Sequence, residues 1–462
     1  MTRQKTKFVC ANCGYESAQW LGRCPLCEQF NTMVEELVAP LESRPKKRSM
    51  RAVVDESQPI PSTELKGTVV PRVVSGSAEW DRVLGGGMVP GSTIIVAGEP
   101  GVGKSTLLTQ VAAQMAQKGH KALYVSGEES PHQLAMRLER LSLIHSDLLV
   151  LGERNVLAIS NCLQSVYPQI AVIDSIQSVF HPLLTSSPGS VGQVRESAAH
   201  LIRIAKESRM GLLFIGHVTK EGYLAGPKVL EHMVDAVLYL EGEATAPVRL
   251  LRATKNRFGT TGEVGLFQMT ERGLEDLTHP DQWLLSASQE PKIGSAVALI
   301  VEGRRPLVAE VQALVASNTW SGCRRVATGV DIGRLLMLIA VLEKHLGCSL
   351  SNKDVYVNVV GGLRIRETAI DLPIALAILS SRSDRPLPAG TAFFGEVGLS
   401  GEVRPVSQGA LRVREGRRLG FRHCIGPTDG TSTVDWTTVA DVRQAAEMFH
   451  LIGANRTTRR RD

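Results

Sequence analysis

Between residues 73 and about 278, short apolar runs alternate with stretches of helical period. The runs at 93–97, 122–126, 170–174, 212–216 and 236–240 are continuously apolar rather than alternating. Strands of that kind are buried on both faces, so the pattern predicts a parallel sheet with helices above and below it. Beyond Trp283 the runs lengthen, at 296–301 and 308–316, and helical patterns follow near 332–346 and 373–381. That change predicts a separate α+β domain. Upstream, residues 39–68 carry Pro, Ser and charge with little periodicity, Pro45-Lys46-Lys47-Arg48 among them, and read as a solvated linker. The expected organisation is a cysteine-bearing module at 8–31, a linker at 39–68, an α/β domain at 69–278 and an α+β domain at 284–462.

Composition narrows this picture only a little. With 43% hydrophobic and 21% charged residues over 462 positions, the chain is expected to fold into two or three globular cores. A net charge of +6 is too mild to indicate nucleic acid by itself, and the basic run Arg459-Arg460-Arg461 reads as a frayed end. No apolar signal region opens the sequence and no stretch of about 18 apolar residues occurs, so a cytoplasmic location is expected.

The eight cysteines change the picture more. Cys10-x-x-Cys13 and Cys24-x-x-Cys27 form two knuckles separated by ten residues, while the other four are scattered. Two such pairs can present four thiolates to one Zn²⁺ in a closed tetrahedral site, with turns at Gly14 and Gly22 and a stiffening Pro25. With no open coordination position, such a metal is structural.

The strongest chemistry lies at Gly98-Glu99-Pro100-Gly101-Val102-Gly103-Lys104-Ser105-Thr106, which matches G-x-x-x-x-G-K-[ST] between an apolar strand and a helix. The glycines let backbone N–H groups wrap phosphates at a helix N-terminus, Lys104 reaches the β/γ phosphates, and the Ser105 hydroxyl ligates Mg²⁺. Some 70 residues on, the strand at 170–174 ends in Asp174, a carboxylate that suits the Walker B role of supporting Mg²⁺ from behind its direct ligands. Ser175 stands where many such enzymes carry a glutamate base, so the base must come from elsewhere. In a RecA-like sheet the strand beside the P-loop strand is expected to supply it, which points to 122–126 and to Glu128, with Glu129 the other candidate. Thr254-Lys255-Asn256-Arg257 lacks the aspartate that reads guanine and Asn352-Lys353-Asp354 has the wrong spacing, so ATP is the expected substrate. The fold class is therefore α/β, a RecA-like P-loop ATPase.

On these residues, together with Lys255-Asn256-Arg257-Phe258-Gly259, the sequence resembles the bacterial RadA/Sms recombination and repair ATPases over essentially its whole length. The resemblance implies a zinc-ribbon-like finger, a RecA-like core and a C-terminal domain similar to the Lon proteolytic domain, of ribosomal S5 domain 2-like fold. It also implies a DNA-stimulated ATPase that forms hexameric rings, binds single-stranded and branched DNA, and drives branch migration alongside the RecA recombinase. Loops at 181–193, closed by Arg195, and at 217–228, with Lys220, Tyr223 and Lys228, would then face the DNA, and cations with an aromatic suit that role. His217 falls where the fold places a polar group near the γ-phosphate. In RecA-like rings, cations placed like Lys255 and Arg257, after a strand at 249–253, reach across to a neighbour's γ-phosphate.

A Lon-like domain raises a rival, an ATP-dependent serine protease. The sequence reads Ala369-Ile370-Asp371-Leu372-Pro373 where the nucleophilic serine is expected, and no lysine follows Lys353, so a serine such as Ser380 has no amine to activate it. A non-catalytic nucleotide-binding scaffold, or a clock-protein-like kinase on the same fold, is the remaining alternative.

Overall fold

The computed structural model describes residues 6–10, 15–26, 28–30, 32–37, 61, 71–217, 229–242, 246–285, 290–317, 322–428 and 436–452. The linker expected at 39–68 lies outside them apart from Pro61. The N-terminal module is a three-stranded antiparallel sheet in which β1 (Thr6–Cys10) lies between β2 (Glu16–Ser17) and β3 (Met33–Leu37). Cys10 pairs in register with Met33, so the ribbon continues past Asn31 to Leu37.

The chain divides into two compact units, and the first contains Met1–Glu241 together with Leu251–Thr261 and Glu271–Leu274. Its elements are α1 (Ala78–Val83), β4 (Thr93–Gly98), α2 (Lys104–Gln117), β5 (Ala122–Ser126), α3 (Pro131–Arg140), β6 (Leu148–Gly152), α4 (Val156–Val166), β7 (Ile170–Asp174), α5 (Val191–Ser208), β8 (Gly211–His217), α6 (Val229–Met233) and β9 (Ala236–Glu241). The strands run in the order β9-β4-β8-β7-β5-β6, all of them parallel. Every residue of β4, β5 and β7 is buried, as continuous apolar runs require when helices cover both faces. Helix starts are written in the sequence. Ser130 caps α3 in a reciprocal box with Gln133 and Pro131 takes the first turn, while Asn155 and Ser190 cap α4 and α5.

The strand order corrects one expectation. β5 is not beside the P-loop strand: β4 pairs with β8 and β9, and β7 and β8 lie between it and β5. Apolar runs of equal length and burial reveal that strands exist but not which of them are neighbours. β10 (Val248–Asn256), β11 (Val264–Thr270) and β12 (Gly273–Asp276) then carry the points at which the chain passes between the units.

The second unit holds α7 (Asp281–Leu284), β13 (Ser295–Glu302), β14 (Arg305–Ser317), β15 (Arg325–Thr328), α8 (Ile332–Leu346), β16 (Lys353–Val359), α9 (Asp371–Ser383), β17 (Thr391–Phe393), β18 (Glu396–Val397), β19 (Val403–Arg404), α10 (Gly409–Arg418), β20 (His423–Pro427), β21 (Thr437–Val439) and α11 (Val442–Met448). Its mixed sheet runs β15-β16-β14-β13-β17-β20-β21. α9 is buried from Asp371 through Ser381, and its apolar residues join those of α8 and β13–β16 in one core. The buried Asp371 carboxylate at its start is held by the Arg334 guanidinium, whose Nε donates at 2.8 Å, and by the Val397 N–H. Burial pushes the Asp371 pKa up, against the lowering effect of those bonds.

Candidate nucleotide-hydrolysing site

β4 delivers the P-loop and α2 begins on it. Gly103, the N-cap of α2, sits at φ 112°, a left-handed conformation that side chains resist. At Gly98 a Cβ would lie 2.5 Å from the Leu240 carbonyl oxygen on the neighbouring strand, so only glycine lets the chain turn there. The loop from Gly98 through Glu99, Pro100, Gly101 and Val102 to Gly103 thus leaves backbone N–H groups at a helix N-terminus, a cradle that suits phosphate. Lys104 is buried and its Nζ donates to the carbonyls of Gly98 at 2.9 Å and Glu99 at 2.8 Å. Burial pulls its pKa below the ordinary lysine value, and the carboxylates of Asp174, Glu128 and Glu99 oppose that pull. Ser105 and Thr106 open the helix, and Thr109 donates to the Ser105 carbonyl at 2.6 Å.

The ends of β5, β7 and β8 bring the other groups together. Asp174 is buried and its Oδ2 accepts from the Tyr124 hydroxyl at 2.6 Å. Glu128 Oε1 accepts from the Ser175 hydroxyl at 2.5 Å and from His217 Nε2 at 3.2 Å. Burial alone would raise the Glu128 pKa. The hydrogen bonds from Ser175 and His217, helped by the charges of His217 and Lys104, outweigh it and hold the carboxyl below its usual range. Glu128 is therefore ionised at neutral pH. Glu129 points elsewhere, into an ion pair with Arg137 on α3 at 3.0 Å. Of the two acids, Glu128 is the one among the phosphate-site residues. In the sequence Ser175 stands out only as a missing glutamate, and Tyr124 and Arg137 do not stand out at all. A buried tyrosine on an apolar strand carries no signal until its partner is known.

The remaining candidates are distributed differently. β10 runs through Asn256, three residues further than the 249–253 run indicated, so Lys255 lies within the strand. Its ammonium donates to the carbonyls of Glu231 at 2.6 Å, Val234 at 2.7 Å and His232 at 3.4 Å. Burial, then the nearby Arg257 charge, lowers its pKa. Asn256 Nδ2 reaches the Val83 carbonyl at 3.3 Å, and its Oδ1 receives the Phe258 N–H. Much of this motif therefore ties β10 to α1 and α6. Arg257 differs: its side chain is 53% exposed and, among the described residues, makes a long 3.5 Å contact to Asp235. The loop after β7 ends at Ser190, and Arg195 lies on α5, paired with Glu196 at 3.0 Å, rather than closing the loop. Lys220, Tyr223 and Lys228 lie outside the described residues.

In the ribbon, Cys10 and Cys24 are buried together with Met33, and Phe8, Tyr15 and Leu21 pack around them. Cys13 and Cys27 lie outside the described residues, and among the described ones no group of three His, Cys, Asp or Glu residues could hold a metal ion. One buried thiol from each knuckle is half of the four-thiolate set that a closed Zn²⁺ site requires. Among the described residues, no helix is long and apolar enough to cross a membrane.

A P-loop on a parallel sheet, with an ionised glutamate and a strand-end aspartate beside it, defines a P-loop ATPase. A family model for an AAA domain matches residues 61–223, in agreement; elsewhere one for a rubredoxin metal binding domain matches 8–35 and one for subunit ChlI of Mg-chelatase matches 338–430. DNA repair protein RadA of Bacillus subtilis (strain 168) is 44% identical over 97% of this chain and 98% of its own. That of Halalkalibacterium halodurans is 45% identical over 97% and 99%, and that of Synechocystis sp. 44% identical over 93% and 90%. The chain belongs to the RadA family.

Proposed function

We propose that this chain is an ATP-driven motor acting on single-stranded and branched DNA in recombination and repair, working with the RecA recombinase as a homo-oligomeric, hexameric ring. The observation that carries the catalytic part is the convergence of Lys104, Asp174 and a hydrogen-bonded, ionised Glu128 at one end of the parallel sheet. Lys104 offers the β/γ phosphates of ATP the charge that now holds two loop carbonyls. Ser105 would donate an oxygen to Mg²⁺ and Asp174 would support the ion from behind its direct ligands; when bound, the ion neutralises phosphate charge. Glu128 orients the attacking water and takes its proton, and Ser175 and His217 fix the carboxylate for that task. His217 closes β8, directly ahead of residues 218–228 in the sequence.

That segment, 218–228 with Lys220, Tyr223 and Lys228, and the loop ahead of α5 with Arg195 are assigned to DNA. Support comes from the family, whose curated members are named DNA repair proteins, and from the residue types. Arg257 is assigned to a neighbour's γ-phosphate, since it is exposed while Lys255 is committed to carbonyls. The test of the reading is ATP turnover with and without single-stranded DNA, which separates a motor from a nucleotide-binding scaffold.

The protease alternative finds no support in the second unit. Ser380 is fully buried, accepts from the Gly294 N–H at 2.9 Å and donates to the Arg385 carbonyl at 2.5 Å, and Ser381 accepts from the Val315 N–H. Both hydroxyls are spent on holding α9 to its surroundings, and the domain is assigned to assembly or DNA binding.

The ribbon is assigned one structural Zn²⁺ on Cys10, Cys13, Cys24 and Cys27. Purified protein should carry about one zinc per chain, and Cys24→Ser should lose it together with the ribbon's fold, because metal and folding free energy are coupled in such modules. Metal analysis showing full zinc in Cys24→Ser would refute the ligand set.

A further inference from the structure

Tyr124 is 1% exposed on β5, where the aliphatic Ala122, Leu123 and Val125 and the terminal Ser126 are its strand neighbours. β5 and β7 pair with Tyr124 opposite Val172 and Ser126 opposite Asp174. Asp174 is thus the diagonal neighbour of Tyr124 on the same sheet face, within reach of a long aromatic side chain. The contacts form a directed chain. A carboxylate can only accept, so the Tyr124 hydroxyl donates to Asp174 Oδ2 at 2.6 Å. The same hydroxyl oxygen accepts from Arg137 Nη2 at 3.2 Å, and the Arg137 guanidinium lies over the Tyr124 ring, 5.6 Å from its centroid. Arg137 in turn is held by Glu129, whose N–H bonds the Ser126 hydroxyl at 3.0 Å. α3 is therefore connected to the end of β7 through one phenol.

We propose that Tyr124 is a positioning residue for Asp174: its hydroxyl occupies Oδ2 and fixes the carboxylate rotamer, so that Oδ1 would be the oxygen left to serve Mg²⁺, while Arg137 and Glu129 hold the hydroxyl in place. The proposal rests on the assignment of Asp174 to Mg²⁺ made above. Hydrogen bonds to a charged group stabilise more than neutral ones, and a buried network of this kind rigidifies what it holds. The arrangement also gives Glu129 a role: it anchors the relay that positions Asp174, one residue after the base.

The readout is nucleotide binding, not turnover. The affinity of the full-length protein for a fluorescent ATP analogue is measured with and without MgCl₂, and the ratio gives the gain due to the metal. Tyr124→Phe keeps the ring and removes only the donor. It should leave metal-free affinity unchanged and reduce the Mg²⁺-dependent gain about three- to tenfold. Arg137→Met should act in the same direction with a smaller loss, and it decides the matter should Tyr124→Phe fail to fold. Asp174→Asn is the reference and should abolish most of the gain. If Asp174→Asn keeps the full gain, the Mg²⁺ assignment itself is wrong. If Asp174→Asn loses it while Tyr124→Phe and Arg137→Met keep it and show only lowered thermal midpoints, Asp174 stands and the relay is merely structural.

Discussion

Glu128→Gln should bind ATP with Mg²⁺ and hydrolyse it at least about 10²-fold more slowly, the usual cost of losing a general base. The substitution removes the negative charge but keeps the size and an acceptor oxygen, so the contacts to Ser175 and His217 can persist while proton transfer from water cannot. Glu129→Gln is the internal control. Its carboxylate pairs with Arg137 rather than with the phosphate site, so turnover should survive with a modest loss of the kind expected from a weakened relay. Lys104→Ala should fail differently, through weakened nucleotide binding as well as lost hydrolysis, because the ammonium is the loop's own charge. Single-turnover hydrolysis and nucleotide binding, measured side by side, distinguish the three. Normal hydrolysis by Glu128→Gln with loss in Glu129→Gln would reverse the assignment.

Arg257→Ala should bind ATP normally and lose hydrolysis by about 10³-fold, the lower end of what an arginine finger supplies. The half-exposed guanidinium has little to lose structurally, since its contact to Asp235 is at the limit of an ion pair. Mixing Arg257→Ala with Lys104→Ala subunits should restore part of the activity, because some interfaces then pair an intact P-loop with an intact finger. Full activity of Arg257→Ala alone, with no rescue on proven subunit exchange, would remove the cross-subunit role. Lys255→Ala is expected to behave otherwise, lowering the thermal midpoint, because it removes a cation that three backbone carbonyls share.

The parts that were legible in the sequence are those where local chemistry dictates structure. The P-loop announces itself because phosphate binding needs glycines, a lysine and a hydroxyl at fixed spacing. The five apolar runs appear as β4, β5, β7, β8 and β9, since strands buried on both faces tolerate no alternation. The helix at 332–346 appears with those bounds as α8. What was not legible depends on contacts distant in sequence. The place of β5 behind β7 and β8, the pairing of Tyr124 with Asp174 across 50 positions, and the engagement of the Lys255 ammonium by carbonyls in and just after α6 follow from strand order. Periodicity holds no record of that order. The choice between Glu128 and Glu129 is a further instance, because adjacent identical side chains differ only in which neighbours the turn gives them.

The most direct test of the motor reading is the steady-state rate of ATP hydrolysis by the wild-type protein, titrated with single-stranded DNA at fixed Mg²⁺. The rate should rise to a plateau as DNA saturates, the stimulation should weaken as salt is raised because phosphate contacts release counterions, and Glu128→Gln should remain flat at every DNA concentration. A wild-type rate that is indifferent to DNA, or no hydrolysis above that of Glu128→Gln, would contradict it.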